Sequence, residues 1–180
     1  MPRSLVVQNF VLFQVGWFIC VYGAANHLPW IALLVMMVVL SWHFHQATQW
    51  QVELKLIVLF SLTGALLDQL LLALQLVSFP ASVWPGAWLP PWMLCLWILF
   101  ATTLNVSLRW LKPYYWLGVI LGAVGAALAY KAGEKLGAIH LHGEWALMAI
   151  AINWSLAMPF GLYLARRYDG FSLKATDQEP

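Results

Sequence analysis

Asp68 lies inside the hydrophobic run Leu54–Phe79, which is long enough to cross a bilayer. A carboxylate at that depth is costly, so such groups are paired or turned toward a bundle interior or a cavity that uses them. Ser61, Gly64, Asp68, Leu71 and Gln75 recur at steps of three and four and form one helical stripe, which should face protein. At about 1.5 Å per residue, Asp68 lies about 19–20 Å beyond Lys55. Asn153 reaches a similar depth counted back from Arg166, and Gln14, counted from Arg3, is slightly shallower. Gln14, Asn153 and Asp68 are therefore expected to meet in one polar layer. Thr102, Asn105 and Arg109 form a second stripe nearer the same membrane edge, with Arg109 too shallow for an easy ion pair with Asp68. These six residues are the candidate ligand-binding set.

Three kinds of chemistry fit Asp68. It can be a hydrogen-bonded carboxyl joining helices, it can line a cavity that takes a ligand headgroup or cation, or it can carry protons in a transport cycle. Polar bonds between membrane helices contribute only about 1 kcal/mol, a weak reason alone to bury a carboxylate, so the cavity stays in consideration. No catalytic set accompanies it. There is no G-x-S-x-G nucleophile, no H-E-x-x-H zinc site and no pair of glutamates within a span. His140 and His142 form an H-x-H with Glu144 nearby, but no further ligand has convincing spacing, so neither a metal nor another cofactor is expected. His43 and His45 point to different faces of one helix. Cys20 and Cys95 occupy separate apolar segments without a C-x-x-C and read as small buried hydrophobes.

The elements that position these residues follow from composition. The chain has 180 residues, 63% hydrophobic and 9% charged. Soluble domains carry about a quarter charged residues, so this is one all-α integral membrane domain. The net charge of +2, with no basic run, excludes a nucleic-acid surface. Six apolar segments suit a six-transmembrane-helix bundle over 1–168. They are Leu5–Tyr22, Leu28–Phe44, Leu54–Phe79, Pro91–Leu111, Tyr115–Gly133 and Trp145–Ala165, with a tail at 169–180. The first segment contains Asn9 and Gln14 and is followed at once by another apolar run. That suits a retained helical hairpin better than a cleaved signal.

Arg3, Lys55, Arg109, Lys112, Arg166, Arg167 and Lys174 fall on one side of this threading, and Lys131 and Lys135 on the other. The excess places both termini in the cytoplasm. Trp30, Trp84, Trp88, Trp92, Trp110, Trp116 and Trp145 fall near span ends, as interfacial anchors do. Gly118, Gly122, Gly125, Ala129 and Gly133 are small residues that permit close helix contact. Pro159 removes one helical hydrogen bond and predicts a kink in the last span.

The string Phe100-Ala101-Thr102-Thr103-Leu104-Asn105-Val106-Ser107-Leu108-Arg109-Trp110-Leu111 resembles a family of small bacterial inner-membrane proteins that carry a domain of unknown function. The likeness extends to Phe13-Gln14-Val15-Gly16-Trp17, to Gly64–Asp68 and to Gly122-Ala123-Val124-Gly125, and covers most of the chain. It implies a bacterial inner-membrane location and no substrate. Trp88-Leu89-Pro90-Pro91-Trp92 is also similar to a segment of the tryptophan-rich sensory family, which binds tetrapyrroles and sterols. A loop entering a helix through interfacial tryptophans accounts for the same residues. The expectation is a small binding or accessory protein whose partners are the lipid bilayer and either a lipid-like or apolar ligand or another inner-membrane protein. A small secondary transporter or transporter subunit, and a membrane enzyme acting on lipid, are the alternatives.

Overall fold

A computed structural model describes residues 1–80 and 87–172. The expectations for Trp84, Lys174 and the tail from 173 onward lie outside the described residues. The chain forms α1 (Arg3–Ala25), α2 (Ile31–Gln46), α3 (Trp50–Ala73), α4 (Pro91–Ala101), α5 (Tyr115–Lys135) and α6 (Trp145–Arg167). Two short strands, β1 (Val77–Ser78) and β2 (His140–Leu141), pair antiparallel at one end of the bundle. Four helices, α1, α3, α5 and α6, are long and apolar enough to cross a membrane; α2 and α4 are shorter.

Packing follows the small residues. α4 contacts α1, α2 and α3, while α6 joins α3 to α5. A Cβ on Gly118 would stand 2.7 Å from Leu162 Cδ1, and one on Gly122 would stand 2.6 Å from the Trp154 carbonyl oxygen. α5 can therefore approach α6 closely only because these positions lack side chains. Gly161 accepts the ring of Phe60 on α3 in the same way, at 2.5 Å.

Three helices share one kind of ending. At the end of α3, Gln75 adopts φ 56°, Leu76 N–H donates to the Leu71 carbonyl and Gln75 N–H to that of Leu72. This left-handed termination satisfies carbonyls that the helix leaves free. His27 after α1 and Gly137 after α5 make the same pair of bonds. The third span thus stops at Ala73, short of the expected Phe79, and the chain turns into β1.

The fourth apolar segment departs further from expectation. The continuous helix Pro91–Leu111 ends at Ala101. The hydroxyls of Thr102 and Thr103 donate to the carbonyls of Leu99 and Phe100, three residues back. Such bonds compete with the helical ladder. The chain continues as tight turns whose bonds mostly run three residues back, through a 3-10 turn at Arg109–Leu111. Every residue from Ala101 to Ser107 is buried, so irregular backbone here is covered by protein, the condition under which an apolar medium tolerates it. The Thr102, Asn105, Arg109 stripe expected on a continuous helix does not form. Trp30, Trp88, Trp110, Trp116 and Trp145 are exposed at element ends, whereas Trp92 is 2% exposed and packs on Phe79.

Candidate functional site

Asp68 is 1% exposed, and both carboxylate oxygens are engaged. Trp97 Nε1–H of α4 donates to Oδ2 at 2.7 Å, and the Tyr130 hydroxyl of α5 donates to Oδ1. The Ser61, Gly64, Asp68, Leu71 stripe is buried as its spacing requires, while Gln75 lies beyond the helix end and is exposed. Gly64 explains why Trp97 reaches the carboxylate: a Cβ there would stand 2.0 Å from Trp97 Cδ2. Trp97 then stacks on Trp154 of α6 at 4.3 Å and meets Phe60 edge-on at 5.5 Å.

The expected partners of Asp68 are replaced by these two donors. Asn153 donates instead to the Leu67 carbonyl at 3.2 Å, one residue from Asp68, so it shares the layer without touching the carboxylate. Gln14 is exposed on α1. Sequence reasoning missed Trp97 and Tyr130 because tryptophan and tyrosine in a span read as packing or anchoring. The available signal was that both carry a donor, and a buried carboxylate accepts only from donors.

Trp97 and Tyr130 form part of the wall of a cleft of about 490 Å³ between α1, α4, α5 and α6. Phe13, Gln14 and Trp17 line it from α1, and Gly122, Gly125 and Ala129 from α5. Asp68 is not on the wall; it stands behind Trp97 and Tyr130 and fixes them.

A second polar cluster occupies the other end of α3. Glu53 is fully enclosed, so Asp68 is not alone among the described carboxylates in being removed from water. Its Oε1 accepts from Asn105 Nδ2 at 2.6 Å and from the Gly170 backbone N–H at 2.7 Å. Its Oε2 lies 3.0 Å from Nε2 of the buried His43. Asn105 also donates to the Tyr168 carbonyl at 2.8 Å. His43 Nδ1 and Asn105 Oδ1 have no partner among the described residues. Asn9 of α1 ties in the turn segment, donating to the Thr102 carbonyl and accepting from Ser107 N–H and Oγ–H. Nothing in the spacing of Glu53 announced His43 and Asn105.

Arg109 and Lys112 converge on Asp169, at 2.7 and 2.8 Å. Arg109 thus has its own carboxylate and plays no part at Asp68. Burial opposes the charge on Asp169, but its bonds to Lys112 and Arg109 outweigh it and hold the carboxyl below its ordinary range. Burial lowers the Lys112 ammonium despite that bond. Residues 169–172, expected as the start of a free tail, are therefore strapped across this end of the bundle.

At the opposite end, His142 Nε2 lies 2.8 Å from Ser78 Oγ, and Glu134 pairs with Lys131 at 2.5 Å. His140 and His142 are adjacent, but among the described residues no three metal-ligating side chains converge.

A family model described as "Protein of unknown function (DUF2878)" matches residues 6–160. No curated protein and no solved structure matches the chain.

Proposed function

We propose that this chain, which belongs to the DUF2878 family of proteins of unknown function, is a non-enzymatic binding or accessory protein of the bacterial inner membrane. Its interhelical cleft holds an apolar or lipid-like molecule. The observation that carries this reading is the 490 Å³ cleft with its aromatic wall. Ligand sites of about 300–1,000 Å³ are mostly apolar with a few fixed polar groups, and Asp68 does that fixing here through Trp97 and Tyr130. In this reading α1 to α6 make six spans with both ends of the chain cytoplasmic. Arg3, Lys55, Arg109, Lys112, Arg166 and Arg167 would then face the cytoplasm, and Lys131 and Lys135 the far side, in keeping with the positive-inside rule.

The interruption of α4 favours one second reading, a small secondary transporter, because broken helices carry the binding sites of such proteins near mid-membrane. Here, however, the interrupted segment meets Glu53, in the first turn of α3, through Asn105. Asp68 lies fifteen residues further along, about 22 Å away. An enzyme acting on lipid would need Asp68 in reach of its substrate, and Trp97 and Tyr130 stand between Asp68 and the cleft.

Native mass spectrometry of the protein purified in mild detergent tests the binding reading. A retained small molecule is expected in the wild type and is expected to be lost in Gly125→Phe, which fills the cleft from a position whose Cβ meets nothing within 4 Å. A mass equal to the bare chain in both proteins sinks it. A protein bound in the cleft in place of a small molecule would move the assignment to a membrane partner.

A further inference from the structure

Resting on that reading, we infer that the cleft takes an uncharged apolar molecule carrying a single hydroxyl or carbonyl, and excludes anionic lipids. Its shape is the first argument. The wall on α5 runs from Leu121 to Gly133, twelve residues and therefore about 18 Å. A molecule up to about that length can lie along this wall within the 490 Å³ of the cleft.

Charge is the second argument. Among the described residues, the wall carries no Asp, Glu, Lys, Arg or His. Its tyrosine hydroxyl is committed to Asp68. Leu108 and Leu111 line the cleft, and the cations beside them in sequence, Arg109 and Lys112, are both bound to Asp169. An anionic headgroup entering here would lose its water and find no free cation among the described residues, a cost that charged groups escape only by pairing. The exposed amide of Gln14 supplies a neutral donor and acceptor on the wall. A single hydroxyl or carbonyl is what it can serve.

The test adds two probes, hexadecanol and dioleoyl phosphatidylglycerol, to delipidated wild type and to Gly125→Phe in detergent, and counts adducts by native mass spectrometry. One hexadecanol per wild-type chain is expected, weakened roughly tenfold or more in Gly125→Phe, a loss of about 1.4 kcal/mol or more. Phosphatidylglycerol adducts are expected at equal levels in the two proteins, as surface lipid. A phosphatidylglycerol adduct that Gly125→Phe abolishes would overturn the uncharged-ligand inference and leave the cleft reading standing. If Gly125→Phe alters neither probe, the cleft reading itself fails. Ala129→Phe fills the same wall and replaces Gly125→Phe if the latter does not fold.

Discussion

The indole of Trp97 occupies the space that a side chain on Gly64 would take, with Cδ2 only 2.0 Å from where a Cβ would stand. One turn further along α3, the same indole donates to Asp68. A glycine on one helix thus decides whether a buried carboxylate on that helix meets its donor on the next. Gly64→Ala gains up to about 1 kcal/mol of helix propensity but must push Trp97 aside, and forced overpacking costs about 1–3 kcal/mol. Losing a bond to a charged group adds about 1.5–3 kcal/mol. We expect a net loss of about 2–4 kcal/mol by these terms, read as a lower unfolding midpoint in detergent. An unchanged midpoint would mean that Trp97 is not seated there.

Asp68 answers to two donors, so its variants should rank by how many they leave unmet. Asp68→Leu strands both the Trp97 N–H and the Tyr130 O–H, at about 1–3 kcal/mol each. Asp68→Asn keeps one acceptor oxygen and should cost less. Adding Tyr130→Phe to Asp68→Leu should cost less than the two separate losses combined, because the second change removes a donor already stranded. Strict additivity in that cycle would refute the shared bond.

Glu53 gathers four parts of the chain: α2 through His43, the interrupted segment through Asn105, and the strap through Gly170, all onto α3. Glu53→Ala takes the acceptor from the buried Asn105 amide and the Gly170 N–H, a loss of about 1–3 kcal/mol for each. Gly170→Ala should act on the same contact, since its Cβ would stand 2.5 Å from the Gln49 carbonyl oxygen. Limited proteolysis reads the consequence. Both variants should be cut faster just after α6, and equal cutting rates in wild type and variants would show that Glu53 does not hold the strap.

The strap also predicts an acid limit. Asp169 is held below its ordinary carboxyl value, about 3.9 in an unfolded chain. Its contribution to stability is therefore complete above that value and is lost as pH falls through the lower folded value. Wild-type unfolding midpoints should drop over that acid range more steeply than those of Asp169→Asn, which should begin lower. Parallel pH profiles would exclude Asp169 as the source.

How far the sequence carried depends on whether a feature is periodic or local. The α3 stripe was legible because burial repeats at helical spacing, and the depth count put Asn153 next to Asp68's own layer, bonded to Leu67. The end of α3 was not legible, because the left-handed turn falls on Gln75, where no glycine marks it. Gly137, which closes α5 by the same bonds, is the readable version. The end of α4 hid for another reason: Leu104, Val106, Leu108 and Leu111 are as apolar as any helix, and the backbone is diverted by the Thr102 and Thr103 hydroxyls and by the distant Asn9. The Glu53 cluster joins residues up to 117 apart in the chain, and no local pattern encodes such a meeting.

α5 presents its glycines to two different surroundings, which gives a prediction of opposite signs. A Cβ at Gly122 would stand 2.6 Å from the Trp154 carbonyl oxygen and 2.5 Å from Met158 Cγ, whereas one at Gly125 meets nothing within 4 Å. The carbonyl belongs to the backbone of α6 and cannot turn away, so Gly122→Ala must move the two helices apart, at about 1–3 kcal/mol. Gly125→Ala removes only the glycine penalty and should stabilise by up to about 1 kcal/mol. Unfolding midpoints of the two variants, measured in one detergent, should therefore lie on either side of the wild type. Midpoints displaced in the same direction would mean that α5 does not separate a packed face from an open one, and the cleft along Gly125 would lose its wall.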